Sequence, residues 1–260
     1  MSEMIQLETD AGIATLRLNR PPANALDLQL LTELADTFAG LETDGDIRAL
    51  IVTGTGRFFS AGLDLKAVPA YSAAEQRLLA MELNRMVGRL YGLPLPVVAA
   101  VNGHSIAGGV IVQLCCDYRI AAAGDYKIGL TEARVGVVFP VAPMAVVQSE
   151  LSRPAARRAV LLARNVNPRQ ALEQGLIDEL QPAEQLLARA REIAEEMAGL
   201  PRASFGRIKR QMRAAALAQI EDAVSNQNEP VLDSWLGAET TAASTEVLSH
   251  GKPQDKNRDL

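Results

Sequence analysis

Ser60-Ala61-Gly62-Leu63-Asp64-Leu65-Lys66 and Val101-Asn102-Gly103-His104-Ser105-Ile106-Ala107-Gly108-Gly109 are built alike. An apolar, strand-like run precedes each, residues 50–52 and 97–101, and small residues form the turn that follows. Small residues let a backbone N–H point into a cleft with no side chain in the way. Two such N–H groups, from separate turns, can grip one oxygen that becomes negative during a reaction. That is an oxyanion hole, and it points to chemistry on a carbonyl or thioester.

Outward from these turns, strands alternate with helices. Residues 4–8 and 13–18 are predicted to form a hairpin across Asp10-Ala11-Gly12. Asp27 is the predicted N-cap of a helix carrying Leu28, Leu31, Ala35 and Phe38 on one face. Residues 48–53 read as a strand ended by Gly54-Thr55-Gly56, and residues 73–90 as a helix with Leu78, Met81, Leu83 and Met86 among its apolar positions. Pro94 and Pro96 punctuate before the strand 97–101; a helix should begin near Gly108 or Gly109, and 117–122 is a further strand. This alternation predicts an α/β fold with parallel βαβ units. Residues 142–150, 153–162, 168–174, 183–197 and 202–217 read as helices, so the second half is mainly α.

A chain of 260 residues suits one large domain, or one domain with a small appendage. Its net charge of −5 gives no attraction to a nucleic-acid backbone or an anionic membrane, so neither is expected as a partner. The two cysteines, Cys115 and Cys116, are adjacent, which rules out a disulfide framework or a Cys-rich metal site. No signal-peptide apolar segment and no run of 18 apolar residues is read, and the expected location is cytoplasmic. Residues 252–260 are polar and are expected to form a mobile tail.

At the two turns the chain resembles the crotonase (enoyl-CoA hydratase/isomerase) superfamily. The family pattern F-[AS]-A-G-x-D-[IL]-K is matched by residues 59–66, and V-N-G-[YH]-x-x-[GA]-G-G by residues 101–109. Residues 18–26 resemble its N-R-P-x-x-N-A-L opening, and residues 171–180 its A-x-x-x-G-[LI]-[VI]-D-x-[VL] segment. Together the four matches span roughly residues 4–215. The resemblance implies a ClpP/crotonase-like α/β fold, a spiral of ββα units with a C-terminal helical region. Residues 1–200 would form the spiral core. Residues 201–260 would form a helical trimerisation or lid region and a polar tail. It implies an acyl-CoA thioester substrate and a homotrimer or dimer of trimers.

The resemblance also assigns roles. The oxyanion donors would be the backbone N–H groups of Leu63 and Gly108, the second at the positive end of a helix. The turn Asp64, Leu65, Lys66 would meet the adenine through its backbone, with Lys66 a candidate for CoA phosphate. Read without the family, Asp64 and Lys66 fit a solvated turn with a helix-capping acid. Ala23 and Ala25 would lie beside the pantetheine and nucleotide, and Ala61, Ile111 and Phe139 would line the substrate site. No metal or redox cofactor is implied; coenzyme A is part of the substrate.

The carboxylates choose the reaction. Hydratases of the family flank one water with two glutamates. The position of the first is Ile111, and its neighbours Val110, Val112 and Gln113 cannot replace a carboxylate base. The second falls on Glu132, in Lys127-Ile128-Gly129-Leu130-Thr131-Glu132-Ala133-Arg134-Val135-Gly136. Residue types alone would read Glu132 as an exposed acid paired with Arg134; its register to Gly129 and Gly136 gives the catalytic reading.

One carboxylate suits a proton shuttle that moves the double bond of a 3-enoyl-CoA to the 2-position, as in the single-glutamate isomerases of the family. In an apolar pocket its pKa would rise above the usual value of about 4.3. Residues 137–144 carry no polar side chain and read either as a wall for a fatty acyl chain or as core. Two alternatives stay open. One is hydration with Glu132 alone activating water. The other is a non-catalytic acyl-CoA-binding protein, suggested by the missing carboxylate at Ile111. His104-Ser105 is a poor hydrolase pair, because neighbours on a strand end point apart.

Overall fold

The computed structural model describes residues 4–230; the sequence-predicted tail 252–260 lies outside the described residues. The chain opens with β1 (Ile5–Asp10) and β2 (Ile13–Leu18), paired antiparallel through a turn with Ala11 and Gly12 at positive φ. α1 (Leu28–Thr43) begins at Asp27, whose carboxylate accepts from the Leu30 N–H, and buries Leu31, Leu34, Ala35 and Phe38.

Three strand–strand–helix units follow. They are β3 (Ala49–Gly54), β4 (Phe58–Ser60) and α2 (Ala73–Gly92); β5 (Val97–Val101), β6 (His104–Ile106) and α3 (Gly108–Leu114); then β7 (Tyr118–Ala122), β8 (Ile128–Gly129) and the 3₁₀ turn Glu132–Arg134. In each unit the first strand joins a six-stranded sheet of order β1-β2-β3-β5-β7-β9, where β9 is Glu179–Gln181. The second strand joins a three-stranded sheet, β4-β6-β8. From β2 onward every pairing is parallel. Every residue of β3 and β5 is buried, as expected of parallel strands covered on both faces. The spiral therefore carries the chain from one sheet to the other three times, and each passage delivers a turn to the same end of the molecule.

The remainder is helical: α4 (Val141–Glu150), α5 (Arg153–Leu162), α6 (Pro168–Glu173), α7 (Leu186–Ala198), α8 (Arg202–Met212) and α9 (Ala214–Ser225). α7 packs on β3 and β5, and α9 lies against α2 and α4.

Three local expectations need correction. Residues 58–60 and 104–106 form strands of their own, where the sequence shows only the end of the preceding strand and its turn. Strands of three residues are too short to show a period of two. The helix expected over 202–217 breaks at Arg213 and resumes to Ser225. No Gly or Pro marks that break. Instead the Arg213 guanidinium turns inward, donating to the Tyr91 and Cys115 carbonyls and pairing with Asp117 at 3.1 Å. Beside it Lys209 pairs with Asp117 at 2.7 Å. Each of these buried charges is thereby paired and hydrogen-bonded, as burying a charge requires. Leu78, taken as an apolar-face position, is 49% exposed, whereas Leu79, Leu83, Met86 and Leu90 point inward.

Candidate active site

The loop before α1 holds the first turn in place. Asn24, buried at positive φ, donates its amide to the carbonyls of Phe58 (2.8 Å) and Thr55 (3.1 Å). Ser60 Oγ donates back to the Asn24 carbonyl at 2.8 Å, and the Ala61 N–H to Ala23 at 3.0 Å. Arg20 bridges Asp27 (2.9 Å) and Asp64 (2.8 Å).

With the loop so fixed, the turn after β4 meets the turn after β6. Gly62 sits at φ +76°, and a Cβ there would lie 2.7 Å from the Gly108 nitrogen. A Cβ on Gly108 would lie 3.8 Å from the Leu63 nitrogen. At Gly62 only glycine permits that approach. The Leu63 and Gly108 N–H groups thus stand side by side, and no hydrogen bond among the described residues uses either.

Leu63 and Gly108 both line one cavity of about 190 Å³. Ala61, Leu65 and Ile111 line it too. Leu83 of α2, Val135, Val137, Phe139, Pro140 and Pro143 add an apolar wall. Glu132 reaches in from the 3₁₀ turn after β8. That turn is pinned because the Val135 and Val137 N–H groups both donate to the Glu132 carbonyl at 3.0 Å.

Glu132 is 7% exposed, and its Oε2 has no protein partner among the described residues. Burial pushes its pKa up to about 8, against a smaller opposing pull from the N–H groups of Glu132 and Thr131. The surface ion pair suggested by residue types does not form. Arg134 donates instead to the Ala163 carbonyl at 2.6 Å. Ile111, one turn into α3, is 1% exposed and lines the same cavity, so this position presents an aliphatic group to it.

Other candidate positions separate. Asp64 lies outside the cavity lining, and its side chain is committed to Arg20 and the N–H groups of Lys66 and Ala67. Burial alone would raise the Asp64 pKa, but these hydrogen bonds hold it below its ordinary value. Lys66 is exposed, and Ala23 and Ala25 are half-buried on the loop beside the first turn, also outside the lining. His104 Nδ1 accepts from the Lys127 N–H at 3.2 Å, and no hydrogen bond joins His104 to Ser105 among the described residues. No group of three His, Cys, Asp or Glu side chains able to hold a metal ion occurs among the described residues.

Leu83 and Val135 went unrecognised in the sequence as wall residues. Helical periodicity marks Leu83 as buried but not what it is buried against. The apolar stretch 137–144 does supply Val137, Val138, Phe139, Pro140 and Pro143 to the lining, while Ala142 is core.

The arrangement can stabilise an oxyanion and move a proton beside it, out of water. Known proteins carry the same framework. Residues 8–247 match the family model described as enoyl-CoA hydratase/isomerase. A mouse (Mus musculus) protein named enoyl-CoA delta isomerase 1, mitochondrial, is 35% identical over 214 residues, which cover 82% of this chain and 74% of that protein. A probable enoyl-CoA hydratase of Bacillus subtilis is 33% identical over 74% of this chain and 76% of that one. The crystal structure of human mitochondrial delta3-delta2-enoyl-CoA isomerase superposes with a TM-score of 0.88 at 30% identity, over 95% of this chain and 97% of that chain.

Proposed function

For a chain that belongs to the enoyl-CoA hydratase/isomerase family, we propose that the reaction is migration of a 3-enoyl-CoA double bond to the 2-position. The observation that carries this reading is the single carboxylate, Glu132, in an apolar cavity whose other candidate position is Ile111.

The thioester oxygen sits between the Leu63 and Gly108 N–H groups. Ionised Glu132 takes a proton from C2, the C2–H electron pair moves into the thioester, and a dienolate forms with its charge on that oxygen. Each N–H donor can lower the barrier by about 3–4 kcal/mol, because it points at the charge before the charge exists. Glu132, now neutral, returns the proton to C4, and the double bond settles between C2 and C3. Atoms and electrons balance within the substrate. The apolar wall keeps water from competing for the dienolate.

The pantetheine and nucleotide run out past the first turn, along Ala23, Ala25 and the backbone of Asp64 and Leu65, with Lys66 available to a phosphate. The chain acts as a homotrimer or dimer of trimers; exposed Leu200, Ile208 and Met212 are apolar side chains that such an assembly would cover. The test is incubation with a 3-enoyl-CoA, read as growth of the conjugated 2-enoyl absorbance. A 2-enoyl substrate converted chiefly to the 3-hydroxyacyl thioester would instead identify a hydratase.

A further inference from the structure

A buried polar knot lies behind the apolar wall and takes no part in the proposed chemistry. Asn84, next to the wall residue Leu83 on α2, is fully buried. Its amide donates to Glu229 Oε2 at 2.7 Å, and its Oδ1 accepts from the Ala142 N–H at 2.9 Å. The same Glu229 oxygen accepts from the Val141 N–H at 3.0 Å. Val141 and Ala142 open α4, where the first N–H groups of a helix have no partner of their own.

A local cap would be a Ser, Thr, Asp or Asn at position 140. That position is Pro140, which lines the cavity and gives no side-chain cap. An apolar residue needed by the wall has displaced the cap, and the two oxygens that replace it come from elements far away in sequence. Asn84 therefore ties the two faces of the wall together, Leu83 on α2 and Phe139-Pro140-Pro143 at the start of α4. Glu229 locks the tie from the segment after α9.

We propose that Asn84 and Glu229 are positioning residues that fix how far the apolar end of the cavity reaches, and so the longest acyl chain it accepts; this rests on the reading of the cavity as the acyl site. Neither touches substrate. Their action is on the distance between α2 and α4 beyond Leu83.

The test measures Kd for a ladder of saturated acyl-CoAs from butanoyl to hexadecanoyl, alongside kcat and KM on 3-enoyl-CoAs of matched length and the thermal midpoint. In the wild type each methylene that enters the wall should tighten binding about fourfold until the cavity is full, after which Kd levels off. In Glu229→Ala and Asn84→Ala the gain per methylene should fall and the levelling point should move to chains at least two carbons longer, with KM for long substrates altered more than kcat. Glu229→Gln, which keeps an acceptor oxygen for the Val141 N–H, should restore the wild-type ladder. If an alanine variant does not fold, Glu229→Asp, one methylene shorter, serves in its place. Variants with a lower thermal midpoint and an unchanged ladder would overturn the proposal. Absence of acyl-CoA binding by the wild type would instead overturn the acyl-site reading on which it rests.

Discussion

Replacing Glu132 by glutamine separates what the carboxylate does for the reaction from what its burial does to the fold. The folded pKa is about 8 against an ordinary 4.5. Below pH 4.5 the group is protonated in both folded and unfolded chains and has no differential effect. Between 4.5 and 8 the folded chain holds a proton that the unfolded chain has released, so stability falls as pH rises, and above 8 the loss is complete. At about 1.4 kcal/mol per pH unit the gap is on the order of 5 kcal/mol at most, and water drawn to the ionised group trims it. Glutamine is neutral throughout. Glu132→Gln should therefore be more stable than wild type by a few kcal/mol at pH 9, with the difference shrinking steadily towards pH 5. Isomerisation should fall roughly 10²–10⁴-fold over the same range, because the amide cannot take the proton. Urea unfolding midpoints at several pH values, paired with steady-state rates, give both numbers. A stability difference that does not change with pH, or near-wild-type turnover, would refute the assignment of Glu132.

For the wild type, kcat/KM on a 3-enoyl-CoA should rise with pH and level off above about 8, since only ionised Glu132 accepts the proton; a profile flat from pH 6 to 9 contradicts this. Ile111→Glu should place a second carboxylate in the cavity, hold a water with Glu132, and raise the hydratase-to-isomerase product ratio modestly. It should also lower the thermal midpoint, because two acids then share a dry pocket. An unchanged product ratio would mean that position 111 does not govern the choice. Gly62→Ala should cost at least about 10²-fold in kcat, because its Cβ would meet the Gly108 nitrogen at 2.7 Å and φ +76° strains any other residue. Wild-type kcat in that variant would show that the two N–H groups need not adjoin.

The two turns stood out in the sequence as local patterns, and Glu132 only through its register in a family-like segment. Gly62 and Gly108 announce close approach, and Glu132 stands in fixed register to Gly129 and Gly136. The strands 49–54, 97–101 and 118–122 were legible because buried parallel strands read as apolar runs. What stayed hidden depends on contacts distant in the chain. β4, β6 and β8 have two or three residues each and exist as a sheet only when the spiral stacks them. Arg213 interrupts a helix for partners at Tyr91, Cys115 and Asp117 that no local signal names. Asn84 and Glu229 meet across 145 residues, and each alone reads as an ordinary polar residue. Glu132 shows the same limit. Residue types pair it with Arg134, and only the fold shows that arginine bound elsewhere.

The most direct test of a single carboxylate moving one proton within a shielded cavity is isotope transfer. A 3-enoyl-CoA carrying two deuterons at C2 is converted in ordinary water, and the product is read by mass spectrometry and NMR. The 2-enoyl-CoA should form with part of the removed deuterium found at C4, carried there by Glu132. Formation of the 3-hydroxyacyl thioester as the main product, or a 2-enoyl product with no deuterium at C4, would contradict it.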